Sequence, residues 1–305
     1  RGDRRMPYAN ITVAEFFRVI NTEEEARNLV WRSRFGGKDF VCPYCRRTKF
    51  WQHRGRPEVR ECVNCERQVR LRASSIFRHS KVPMLLWVRA IFLATQGKRG
   101  ISALEMYRQL RMRSYGTAWT MLHKIREAMR QRDERYKLKG IIELDGAYFG
   151  RRRSGNQREV LIAVETKKWV DENGNSKSRA GFAKTIRPDL ARFYAPKDAN
   201  VGIQPGSTLR TDGAVFRVAG ANFKRRASWR GDTMETWLPW VHKFISNAKT
   251  FLIGTYHGVE AKHLDRYLAE FTYRFNRRHD PDAIFARAVT ACALATPITA
   301  ELLLG

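Results

Sequence analysis

Apolar residues recur at helical spacing within residues 11–35, which contain "TVAEFFRVINTEEEARNLVWRSRF". Thr22, followed by three acids, reads as a helix N-terminus. Residues 82–137 keep the helical period in "VPMLLWVRAIFLATQ", "SALEMYRQLRM" and "YGTAWTMLHKIREAMRQRDERY", joined at "GKRG" and "RMRS". From residue 139 the texture changes. "KGIIELDGAYFG", "REVLIAVETKK" and "RAGFAKTI" read as three hairpin-connected strands, with turn-rich segments such as "DENGNSKS" between them. A helical or loop stretch follows, then a fourth strand, "GSTLRTDGAVF", ending in Asp212. A basic segment, "FKRRASWRGD", leads to two long helices predicted at 233–252 and 260–277. On the first strand Glu143 and Asp145 share one face, and Ile142 and Leu144 point the other way.

This order predicts a multidomain α/β (α+β) chain. Three strands, a helix, a strand and then helices are expected of an RNase H-like core. The expected segments are an N-terminal helical segment (1–36), a cysteine-rich ribbon (37–74), a helical region (75–137), the α/β core (138–280) and a C-terminal helical tail (281–305). The last two helices of the 75–137 region fit a helix-turn-helix. That reading puts Arg113, Ser114, Tyr115 and Thr117 at the start of the second helix, and Lys124 further along it, where base or phosphate contacts are expected. An ordinary helical bundle fits the same pattern.

Charge narrows the partners. The chain has 58 Lys plus Arg against 30 Asp plus Glu, a formal net charge of +28. This balance argues against small-molecule chemistry and for a polyanion, nucleic acid foremost. A histone-like or ribosomal role fits poorly with 43% hydrophobic residues and eight Trp. No signal-peptide pattern and no apolar run of about twenty residues is present, so neither secretion nor a membrane span is expected. The opening "RGDRR" carries no pattern.

Four of the five cysteines form "CPYC" (42–45) and "CVNC" (62–65), separated by sixteen residues. This is a zinc-ribbon spacing, with Cys42, Cys45, Cys62 and Cys65 as ligands of one structural zinc ion. Two short strands are expected between the pairs, around a Gly-Arg-Pro turn. His53 reads as a surface residue, because four thiolates complete a tetrahedron. Cys292, in "AVTACALAT", reads as a packed small hydrophobe.

The acids of "ELDGAYFG" and "RTDG" invite a metal reading. Phosphoryl transfer on DNA uses two divalent ions about 3.5–4 Å apart, held by carboxylates converging from separate segments. Asp145 and Asp212 fit that demand, and Arg151, Arg152 and Arg153 are placed to hold substrate phosphates. Helix caps or salt-bridge partners are the plainer alternative for either acid.

The sequence resembles the insertion-sequence transposases of the IS1595 group, whose catalytic domain is called ISXO2-like and is related to the Merlin elements. The motifs that carry the resemblance are "CPYC…CVNC", "GISALEMYRQL", "TAWTMLHKIREAM", "ELDGAYFG", "RTDG" and "NAKTFLIGTYHGVEAKHLDRYLAEFTYRFNRR". It implies a DDE-type DNA transposase with an RNase H-like core. Such an enzyme binds terminal inverted repeats, cuts there and joins 3′ ends to target DNA with two Mg²⁺ or Mn²⁺ ions. It acts as a dimer or larger assembly on double-stranded DNA, in the cytoplasm and nucleoid of a prokaryote. The first two catalytic acids carry over as Asp145 and Asp212.

The third position departs from the family pattern, where many relatives have Glu seven residues before a Lys. Lys249 and "GTYHG" (254–258) anchor the register and put His242 there. Asn247, about 140° round the helix, is a second candidate, and Glu235 a third. An imidazole removes one negative charge and shifts preference from Mg²⁺ towards Mn²⁺. Lys249 reads as a contact to the phosphate near the scissile bond. Arg274, Arg277 and Arg278 read either as DNA-backbone contacts or as a structural clasp. The competing function is a catalytically impaired, transposase-derived DNA-binding protein, or a zinc-ribbon regulator.

Overall fold

A computed structural model describes residues 11–97, 99–150, 157–186, 202–212, 222–225 and 237–304. Arg151, Arg152, Arg153 and Glu235 lie outside the described residues. The chain divides into two compact units, one of residues 1–132 and 277–305, the other of residues 133–276. Among the described residues no helix is long and apolar enough to cross a membrane.

The first unit begins with α1 (Val13–Val19) and α2 (Glu23–Arg34). Thr22 opens α2 as its acids predict: its hydroxyl accepts from the Glu25 N–H at 3.2 Å, and the Glu25 carboxylate accepts from the Thr22 N–H at 2.8 Å. Three short strands follow, β1 (Phe50–Gln52), β2 (Val59–Cys62) and β3 (Gln68–Arg70), antiparallel in that order. The first two are those expected between the cysteine pairs, and β3 adds a third beyond the second pair. Arg60 of β2 fastens this ribbon to α2. Its buried guanidinium sits 4.6 Å from the Trp31 ring and 4.4 Å from the Phe50 ring, and donates to Asn28 Oδ1 and the Asp39 carbonyl. Arg34 of α2 donates in turn to the carbonyls of Arg70 and Leu71.

Helices α3 (Met84–Gln96), α4 (Ala103–Gln109) and α5 (Tyr115–Glu134) come next. The N-cap of α3, Pro83, has no side-chain hydrogen bond to offer. Glu23 of α2 supplies it instead, accepting from the N–H groups of Met84 and Leu85 at 2.7 and 2.8 Å. Helix α3 is apolar nearly all round and buried, as a central core helix must be. Phe92 of α3 stacks on Phe16 at 3.7 Å, and both meet Phe285 edge-on. Cys292 is fully buried, as its apolar surroundings predict.

The second unit is built on a five-stranded sheet. Its strands are β4 (Ile141–Phe149), β5 (Arg158–Val170), β6 (Ser176–Ile186), β7 (Thr208–Thr211) and β8 (Asn222–Arg225), in spatial order β6-β5-β4-β7-β8. The first three form antiparallel hairpin neighbours, while β7 runs parallel to β4 and β8 parallel to β7. Alternation along β4 splits its side chains as predicted. Ile142 and Leu144 join Leu161, Ala163 and Leu209 in one apolar cluster. Ala147 and Phe149, from the Asp145 side of the strand, join the cluster that holds two helices, α6 (Pro239–Tyr256) and α7 (Leu264–Phe275). A bulge in β5 turns Glu165 across Gly181. A Cβ on Gly181 would meet the Glu165 side chain at 2.6 Å, so glycine is required there.

Both predicted helix ranges need correction. The predicted 233–252 helix, of which residues 233–236 lie outside the described residues, is seen as α6, which runs from Pro239, where the ring's fixed φ suits a first helical position, to Tyr256. It stops where His257 turns left-handed at φ 54°. The predicted 260–277 helix begins as a short 3₁₀ turn, Ala261–His263, and runs as α7 from Leu264 to Phe275. The chain then returns to the first unit, where α8 (Ile284–Leu294) packs on α2 and α3, before a last helix, α9 (Ala300–Leu304).

Candidate active site and metal centre

The two sites lie in different units. In the ribbon, Cys42 and Cys65 have their sulfurs 3.5 Å apart, as do Cys45 and Cys62. All four ligand atoms lie within 4.8 Å of one another, which fits one tetrahedral ion. Among the described residues this is the one group of three or more His, Cys, Asp or Glu side chains gathered so closely. Burial pushes the Cys42 thiol up, but backbone N–H groups of Cys45 and Tyr44 and the neighbouring thiols overcome it and pull it down to about 6. The Cys62 thiol is lowered in the same way. The Cys65 thiol moves the other way: despite the Arg67 N–H, burial and the neighbouring thiols push it up to about 12, so without a metal the cluster shares its protons unevenly. His53 is bonded to Glu61 at 3.1 Å and stands outside the group, as expected.

In the second unit, Asp145 sits in the middle of β4 and Asp212 directly follows the end of β7. Parallel pairing of Ile141, Ile142 and Glu143 with Thr208, Leu209 and Arg210 brings these two segments side by side. His242 is in the first turn of α6, with its Nε2 3.3 Å from Asp145 Oδ2. Burial, reinforced by the like charge of Asp212, pushes the Asp145 carboxyl above its usual range; the Gly146 N–H, at 2.7 Å, and His242 act in the opposite direction. Two carboxylates that repel, with an imidazole beside them, form a donor set that a divalent cation would relieve. Oxygen and imidazole ligands fit such an ion.

The sequence-predicted residues are placed as follows. His242 contacts Asp145, and Asp212 is near enough for its charge to act on Asp145, but the three are not gathered as closely as the four cysteines. Lys249 lies on the same helix, exposed, with its ammonium 5.9 Å from the centre of the Phe149 ring. Asn247 is exposed. Arg274 is tied to the buried Glu270 at 3.9 Å, and Glu270 also receives the Tyr256 hydroxyl. Arg277 is only 5% exposed, and Arg278 is half-buried. In the first unit, the Ser114 hydroxyl accepts from the Thr117 N–H at 3.2 Å and caps α5. Ser114, Tyr115, Thr117 and Lys124 line one open hollow of about 630 Å³. Arg113 is exposed beside them.

One residue that matters was visible in the sequence without its role. Glu143 is completely buried. Its Oε2 accepts from the N–H groups of Trp240 and Val241 at 2.7 and 2.9 Å, and its Oε1 from the Thr166 hydroxyl at 2.7 Å. The N-cap of α6, Leu238, offers no side-chain acceptor, so Glu143 satisfies the helix's first buried donors. Burial raises the Glu143 carboxyl, against the pull of these hydrogen bonds and of Arg210. The strand that carries Asp145 is thereby bonded to the helix turn that carries His242. The sequence signal was the pair Leu238-Pro239, a helix start lacking its own cap.

Residues 137–276, a little under half of the chain, match the model of the ISXO2-like transposase domain. The matched span includes Asp145, Asp212, His242 and Lys249, and leaves out the ribbon and the helices α1 to α5. Neither the curated proteins nor the solved structures contain a match to the chain.

Proposed function

We propose that the chain is a DDE-type DNA transposase that cleaves DNA at the element's ends and transfers the 3′ ends to target DNA. The observation that carries this reading is the convergence of Asp145, Asp212 and His242 within a transposase-family domain. Three antiparallel strands followed by a parallel fourth support an RNase H-like core, and a fifth strand, β8, forms at the start of the stretch read as a basic segment. The net charge of +28 supports a DNA substrate.

Asp145, Asp212 and His242 would hold the divalent ions, Mg²⁺ or Mn²⁺. When bound, such ions polarise the phosphoryl group and lower the pKa of the attacking water. The chain's own residues do the rest. Glu143 keeps the helix of His242 in register with the strand of Asp145. Lys249 projects from the same helix towards solvent, where it meets the phosphate next to the scissile bond. The capped start of α5, with Arg113, Ser114, Tyr115, Thr117 and Lys124, acts as a helix-turn-helix contact to the terminal repeat. Zinc on the four cysteines holds the ribbon, and two or more copies act on paired ends.

A second reading is a DNA-binding derivative that has lost catalysis. The observation in its favour is the His242–Asp145 pair itself, in which a protonated imidazole would offset the charge meant for a metal ion. Cleavage and strand transfer on a labelled duplex carrying the element's end separate the two. Ion-dependent products absent from Asp145→Asn support the enzyme. Salt-sensitive binding with no cutting in Mg²⁺ or Mn²⁺ supports the derivative.

A further inference from the structure

The first unit holds a second open hollow, of about 740 Å³, on the ribbon. Its walls come from the β1–β2 turn, from β2 and β3, and from residues 72–79. Glu58 is the one carboxylate among the lining residues, and its charge is already taken. Arg72 grips both Glu58 oxygens at 2.7–2.9 Å through Nε and Nη2, and its Nη1 donates to the carbonyls of Ser80 and Val82. Arg56, Arg70 and Arg78 stand around this neutralised floor, all three exposed. The Arg78 Nε donates to His79 Nε2 at 3.1 Å. Ser74 and His79, on the same rim, hold left-handed backbone at φ 57° and 58°, a conformation that residues other than glycine rarely adopt. Strain of this kind is often retained at binding sites. His79 also lines the hollow at the start of α5, so the two hollows share a wall.

We propose that the ribbon itself grips duplex DNA, with Arg56, Arg70 and Arg78 holding consecutive phosphodiesters and continuing the contact made by the start of α5. The proposal rests on the transposase reading for its substrate. Exposed guanidinium forks match phosphate oxygens in pairs, and such bonds fix the register of a protein on DNA without reading its bases. The ribbon is then a grip as well as a brace. Arg60 and Arg34 face inward to fasten it, while Arg56, Arg70 and Arg78 face outward.

The test measures duplex affinity of the full chain by fluorescence anisotropy across a salt series. It compares wild type with the triple variant Arg56→Ala, Arg70→Ala, Arg78→Ala. A control removes the same charge from the β5–β6 hairpin (Lys167→Ala, Lys168→Ala, Arg179→Ala), and zinc content and melting temperature check each variant's fold. The ribbon variant should keep its zinc and its melting temperature and bind more than tenfold more weakly at low salt. Its slope of log affinity against log salt should flatten by about 2–3, at about 0.9 for each phosphate left without its arginine, and lysine at all three positions should restore most of that slope. Equal losses in the ribbon variant and the hairpin control would overturn the proposal, because net charge alone would then explain them. So would unchanged binding in the ribbon variant, or a preference for duplex RNA that the variant abolishes. A wild-type chain that binds no duplex at any salt would instead defeat the transposase reading, a result distinct from the others.

Discussion

His242 and Glu143 show how much a single side chain does here. His242 occupies the position where the resemblance expects a glutamate, and its imidazole lies 3.3 Å from Asp145. Restoring the acid with His242→Glu adds back one negative charge and a hard oxygen ligand. This variant should gain cleavage in Mg²⁺ relative to Mn²⁺, read as the ratio of single-turnover rates in the two ions. An unchanged ratio would show that position 242 does not touch the ions. Glu143 carries three hydrogen bonds in a fully buried place. Glu143→Ala strands two buried helix N–H groups at about 1–3 kcal/mol each, so urea unfolding should show a loss of about 3 kcal/mol or more. A loss under about 1 kcal/mol would mean that α6 does not depend on this cap.

At the scale of elements, what could be read from sequence follows the range of the interactions. The zinc ribbon was legible because its ligands come as two local pairs, and each pair makes its own turn. Its third strand was not, because β3 is defined by pairing with β2 and carries only three residues. The period of two along β4 placed Glu143 and Asp145 on one face correctly. It could not show that Glu143 caps a helix that starts 96 residues later, since that bond exists only after the sheet and α6 have packed. The start of α6 at Pro239 was hard to read for a related reason: a continuous apolar pattern from Trp237 runs through it. The four cysteines are gathered closely enough to hold one metal ion. Metal analysis should return one zinc per chain, and Cys45→Ser with Cys62→Ser should return none. The same double variant should lose the protection from proteolysis of the bonds around Arg60, because structural zinc contributes on the order of 10 kcal/mol to folding such a domain. Full zinc content in that variant would contradict the four-thiolate site.

Across the whole molecule, basic residues outnumber acidic ones in both units, so charge alone does not mark one unit as the partner's site. The charge of +28 was legible at once and pointed to a polyanion. The position of the cations was not, because Arg60, Arg72 and Arg274 face inward on partners while Arg56, Arg70 and Arg78 face solvent, and their spacing in sequence does not distinguish them. The mixed α/β class was legible from strand order, while the proposed roles of Asp145 and Asp212 rest on the resemblance. The proposed third ligand, His242, comes from the register that the resemblance fixes at Lys249, and it is the least conventional part of the proposed site. The most direct measurement is therefore Mn²⁺ binding to the zinc-loaded full chain, by titration calorimetry without DNA, in wild type, Asp145→Asn, Asp212→Asn and His242→Ala. Binding should be lost in both aspartate variants. It should weaken at least about tenfold in His242→Ala, the scale on which even outer-shell partners of a metal act. Equal Mn²⁺ affinity in all four proteins would contradict the site.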